Sequence, residues 1–141
     1  MLKHNHLLIV MSLLSIVLLS LHVTDDIVRG YDRWGYDKLS FVLIMVVWLY
    51  GTLLLADRRA GQIIMLLGGF LAAAMPAIHM RGTGAFVKSS GAFFFVWTLF
   101  AVGTSGALAV ILAVRALRSR ASVEGDGTMT ASPNENPDRR R

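Results

Sequence analysis

Four apolar stretches, residues 7–23, 39–56, 63–80 and 92–114, take up most of this 141-residue chain, and each is close to the length that carries an α-helix across a bilayer. Hydrocarbon offers no water to backbone N–H and C=O groups, so such stretches must satisfy those groups internally as helices. The chain is therefore predicted to be an all-α membrane protein with four transmembrane helices in an antiparallel bundle. Apolar residues make up 55% of it and charged residues 16%, and the charges fall almost entirely between the apolar runs, where a soluble domain would scatter them. Residues 1–117 are expected to form the transmembrane domain. The Ser, Gly, Asn and Pro content and mixed charge of 118–141 predict a disordered cytoplasmic tail.

The run after Lys3 also resembles a secretory signal, but Ser20, Leu21 and His22 make a poor cleavage site, so it reads as a retained first helix. The absence of cysteine excludes disulfides, thiolate catalysis, Cys-ligated zinc and iron–sulfur chemistry. The net charge of +5 comes from Lys and Arg at helix ends, which points to headgroups and topology and not to nucleic acid. Lys3, Arg58, Arg59, Arg115, Arg118 and Arg120 collect on one side, against Arg29, Arg33, Lys38, Arg81 and Lys88 on the other. With the basic pair in the tight second loop, this predicts both termini on the cytoplasmic side of a bacterial cytoplasmic membrane. Four short helices enclose no large aqueous pathway in one copy, which argues against transport by a monomer.

Polar and small residues then sort the helix faces. At about 100° per residue, Ser12, Ser15, His22 and, if the helix continues past residue 23, Asp26 fall within one sector and should face protein. The plainer alternative is that the serines bond to their own backbone carbonyls and His22 merely ends the helix at the interface. The second helix, nearly all aliphatic with Trp48, Tyr50 and Gly51 near one end, reads as a lipid-facing wall. Asp57, Arg58 and Arg59 then make a short turn, which implies a helical hairpin with the third helix. In the third helix Gly68, Ala72, Pro76 and His79 share a face, with Gly69 and Ala73 beside them, and Pro76 should free the carbonyl of Ala72. Ala101, Ser105, Ala109 and Ala113 form a stripe on the fourth helix. Gly68, Ala72, Ser105 and Ala109 are the expected helix-packing residues.

Two loops invite functional readings. Residues 24–38 combine Asp25, Asp26, Asp32 and Asp37 with Tyr31, Trp34 and Tyr36; Thr24 or Asp25 could cap a short interfacial helix carrying Ile27, Tyr31 and Trp34. Residues 81–91 suggest a phosphate loop, but Val87 stands where glycine is required before Lys88. Capping of the fourth helix by Ser89 or Ser90 is the simpler role, with Lys88 holding a lipid phosphate as a milder alternative.

The segments TDDIVRG (24–30), WLYG (48–51) with the following ADRR turn, IHMRG (78–82) and GAFFFVW (91–97) resemble a group of uncharacterised small bacterial four-helix integral membrane proteins. The resemblance covers the four helices and not the tail. It implies a bacterial integral membrane protein and transfers no functional residues.

Three functional readings follow. The first is a non-catalytic accessory or homo-oligomeric membrane protein, whose partners are the lipid bilayer and a second copy or another membrane protein. The second is a metal or haem site near the outer face. The first and third helices run the same way, so His22 and His79 end at similar depth, where they could be axial haem ligands or, with Asp25 or Asp26, a metal site. The third, an enzyme or transporter using Asp25 or Asp26 with His22 to handle protons, finds no nucleophile paired with a base at recognisable spacing.

Overall fold

In the computed structural model, residues 2–28, 38–80 and 92–129 are described. They form four helices, α1 (Leu2–Val28), α2 (Lys38–Leu54), α3 (Arg59–Met80) and α4 (Ala92–Met129). Three of these contain apolar spans long enough to cross a membrane: Asn5–Val28, Arg59–His79 and Phe93–Ser122. The expectation of four transmembrane helices is met in three of them, because the apolar helix of α2 is only Leu39–Leu54. At about 1.5 Å per residue such a helix falls short of the ~30 Å hydrocarbon core. Leu55 and Ala56, assigned to the helix from sequence, belong instead to the turn into α3, where the Arg58 amide donates to the Leu55 carbonyl at 2.8 Å.

Two further boundaries move. α1 continues through Thr24 and Asp25, so neither caps a new helix, and the Thr24 hydroxyl donates back to the Ser20 carbonyl. The aromatic residues of 29–37, the 81–91 loop and the 130–141 segment lie outside the described residues. α4 runs to Met129, well past the helix end expected before the tail. Its Ala, Leu and Arg residues favour helix, the Ser119 and Ser122 hydroxyls return to the Arg115 and Arg118 carbonyls, and the Arg120 guanidinium donates to the Asp57 carbonyl.

Side-chain pairings fix the topology. Asn5 meets Asp57 and Ser12 meets Thr52, so α1 and α2 are antiparallel; Ser15 meets Ser105 and His22 meets Thr98, so α1 and α4 are antiparallel too. Leu8 packs with Met65 and Asp26 stands beside His79, which makes α1 and α3 parallel. The result is an antiparallel four-helix bundle. Its most extensive contacts join α4 to α3 and to α1.

α1 is the polar spine of this bundle. Its most deeply buried residues are Leu8, Ser12, Ser15, Leu19 and His22, alternating steps of four and three that keep one seam turned inward, as in a coiled coil. Both readings of its serines hold in part. Ser15 and Ser20 donate to the Met11 and Ile16 carbonyls, yet Ser15 also reaches Ser105, and Ser12 links two other side chains on α2. The Trp48 indole N–H donates to Ser12 at 2.8 Å, and the Thr52 hydroxyl donates to the Trp48 carbonyl and receives the Ser12 hydroxyl hydrogen. The wall reading of α2 therefore fails on one face: Trp48, Gly51 and Thr52 are buried, while Val42, Leu43, Val46, Leu53 and Leu54 are exposed and form its apolar exterior.

Small residues set the helix spacing. A Cβ added to Gly106 would lie 2.6 Å from the Ala73 amide nitrogen and 2.7 Å from the Gly69 carbonyl oxygen, so α3 and α4 touch backbone to backbone there. Gly103 makes room for the Pro76 ring, and Gly68 receives the Trp48 indole, so Gly68 serves the α2 contact. Ala72, Ser105 and Ala109 are buried with it. All four expected packing residues are thus buried against other helices of the same chain.

Candidate metal centre

The ends of α1 and α3 and the start of α4 bring His22, Asp26 and His79 together. His22 and Asp26 are one helical turn apart on the inward seam of α1, and His79 follows Pro76, whose ring is seated on Gly103 of α4. One ligand atom from each of the three residues lies within 4.8 Å of the other two. Asp26 Oδ2 stands 3.5 Å from His79 Nε2. The two imidazole rings meet edge to face at 5.1 Å between centroids, and Phe95 of α4 packs on both, at 4.7 Å from His22 and 5.7 Å from His79.

The hydrogen bonds aim each ring. The Thr98 hydroxyl has the Phe94 and Phe95 carbonyls as acceptors, both at 3.0 Å, so its hydrogen is committed to its own helix and its oxygen is left to accept. His22 Nδ1, 3.2 Å away, is then the donor, and Nε2 carries the lone pair. His79 Nδ1–H likewise donates to the Met75 carbonyl at 3.1 Å, turning Nε2 towards Asp26. Metal-binding histidines are fixed in this way, one ring nitrogen donating to an oxygen while the other holds the ion.

Three buried side-chain polar atoms among the described residues have no hydrogen-bond partner, and two of them, His22 Nε2 and Asp26 Oδ1, belong to this cluster. Each such atom costs about 1–3 kcal/mol when left unsatisfied. Two imidazole nitrogens and a carboxylate form a donor set suited to divalent transition metals, which they bind at roughly 2.0–2.2 Å. The third orphan, Gln62 Oε1, sits near the start of α3 at the opposite end of the bundle.

Of the residues singled out from sequence, His22, Asp26 and His79 converge, and Asp25 stands outside the group. Thr98 and Phe95 escaped the sequence reading. A signal for Thr98 was present: Thr98, Val102, Ser105 and Ala109 follow the same four-three-four spacing that marks the buried seam of α1.

The fold and site define a class of protein: a four-helix bundle with three membrane-length apolar helices and a polar cluster of metal-ligand type at one end. No protein-family model matches this chain, and no curated protein or solved structure matches it, so no family is identified.

Proposed function

We propose that this is a small integral membrane protein that binds one divalent transition-metal ion between α1 and α3, through His22 Nε2, His79 Nε2 and a carboxylate oxygen of Asp26. The observation that carries the reading is the pair of orphaned, buried atoms, His22 Nε2 and Asp26 Oδ1, in a cluster that also offers a second imidazole. An ion there would staple the ends of two helices that otherwise share little direct contact. Haem is the poorer occupant. Bis-imidazole haem ligation would need the two imidazoles apart, on opposite sides of a macrocycle, whereas here they meet edge to face and Phe95 packs on both.

The exposed aliphatic side chains of α2, together with Val10, Val17, Phe70, Phe100 and Ile111 on the other helices, supply the surface that lipid would cover. The charge distribution supports cytoplasmic termini in a bacterial inner membrane, which puts the metal site at the outer face. Because the chain has no cysteine, single cysteines at Ser90 and Ser119 test this cleanly. A membrane-impermeant maleimide added to intact cells should label position 90 and spare 119; the opposite pattern would invert the topology.

Metal content is the direct check on the ion itself. Protein purified in detergent through a histidine-free tag should carry about one equivalent of a transition metal, or take it up when offered. Protein that stays metal-free after exposure to zinc and cobalt would end this reading.

A further inference from the structure

We infer that Thr98 is a positioning residue, which holds His22 in the one tautomer able to ligate a metal through Nε2. The inference rests on the metal-site reading and adds to it the atom that binds and the residue that selects that atom. A neutral imidazole has one N–H and one lone pair, and the environment decides which nitrogen gets which. The ring is fully buried, Phe95 covers one side, Asp26 and His79 stand in the same cluster, and Nε2 makes no hydrogen bond. Thr98 is the polar side chain that the structure places on Nδ1.

A threonine hydroxyl can either donate or accept, so its preference has to be set elsewhere. The α4 backbone sets it. With carbonyls of Phe94 and Phe95 both at 3.0 Å, the hydroxyl hydrogen points along α4 and the oxygen lone pair points at His22. Were Nδ1 the bare nitrogen, two lone pairs would face each other at 3.2 Å inside a low-dielectric bundle. The Nδ1–H tautomer is therefore imposed, and Nε2 is left bare in the cluster that holds Asp26 and His79. α4 contributes no ligand, yet it determines whether α1 can supply one.

The test uses the full-length protein, metal-free, with 15N-labelled histidine, at a pH above imidazole titration. Its His22 signals are identified by their loss in His22→Gln. Nitrogen chemical shifts distinguish a protonated from a bare ring nitrogen. Wild-type His22 should show Nδ1 protonated and Nε2 bare. Thr98→Val, which keeps the shape and removes the acceptor, should abolish that preference and weaken Co2+ binding by about 10–100-fold, the range for lost outer-shell partners. Thr98→Ser should restore both.

Wild-type His22 carrying its proton on Nε2 would overturn the inference even if Thr98→Val failed to fold, and so would a folded Thr98→Val protein that binds Co2+ as tightly as wild type. Wild-type protein with Nε2 bare but no affinity for Co2+ would separate the two claims. The tautomer assignment would survive, and the metal reading, with Thr98's part in it, would fall.

Discussion

His22→Ala should abolish stoichiometric Co2+ or Zn2+ binding. Removing one of three ligands costs more than the roughly 10–100-fold lost with an outer-shell partner, so affinity should drop by well over two orders of magnitude in a direct titration. His79→Ala should do the same. Asp25→Ala, beside the cluster but outside it, should bind as wild type does. Linkage gives a second readout: an ion at 100 times its Kd stabilises the folded state by about 2.7 kcal/mol, and that increment should vanish from the unfolding of both His variants. Equal binding by wild type and His22→Ala would place the metal elsewhere.

Gly106→Leu should be the most damaging packing change. A side chain at Gly106 meets the Ala73 amide nitrogen and the Gly69 carbonyl oxygen, which are backbone atoms with nowhere to go, so α3 and α4 must separate along their whole contact. Overpacking typically costs about 1–3 kcal/mol where side chains can shift. Here the cost should reach or exceed the top of that range, read as a loss of thermal stability in detergent. Since the same contact seats Pro76 and, beyond it, His79 against α4, metal affinity should fall as well. Val46→Leu, on the exposed face of α2, should be nearly silent. Comparable melting of Gly106→Leu and Val46→Leu would contradict the backbone contact.

Much of this was legible in the chain because hydrocarbon leaves so few solutions. Length and apolarity predict the helices, and the shared sector of Ser12, Ser15 and His22 offers an inward face as one of two readings, the one their burial favours. Parallel first and third helices bring His22 and His79 to one depth, and they do meet. The illegible parts depend on rotation about the helix axis. Whether Gly68 faces α2 or α4 is settled by the Trp48 indole, a residue that sequence alone assigns to an interface as readily as to a core. Asp25 and Asp26 are equivalent ligands by composition, and only the helix continuing unbroken to Val28 puts Asp26 on the inward seam. Spacing could have shown that Thr98 is buried but not what it does: its role comes from where two carbonyls point its hydrogen. The end of α4 was missed because charge and polarity were read as disorder, although its first four turns beyond the apolar run hold no proline and many helix formers.

X-ray absorption at the edge of the bound metal tests the central claim most directly. Protein loaded with one equivalent of zinc or cobalt should show a shell of nitrogen and oxygen only, near 2.0–2.2 Å, with the outer-shell scattering of two imidazoles, and metal offered to His79→Ala should not show that two-imidazole signature. A wild-type spectrum without imidazole scattering, or one unchanged by His79→Ala, would contradict a site built from His22, Asp26 and His79.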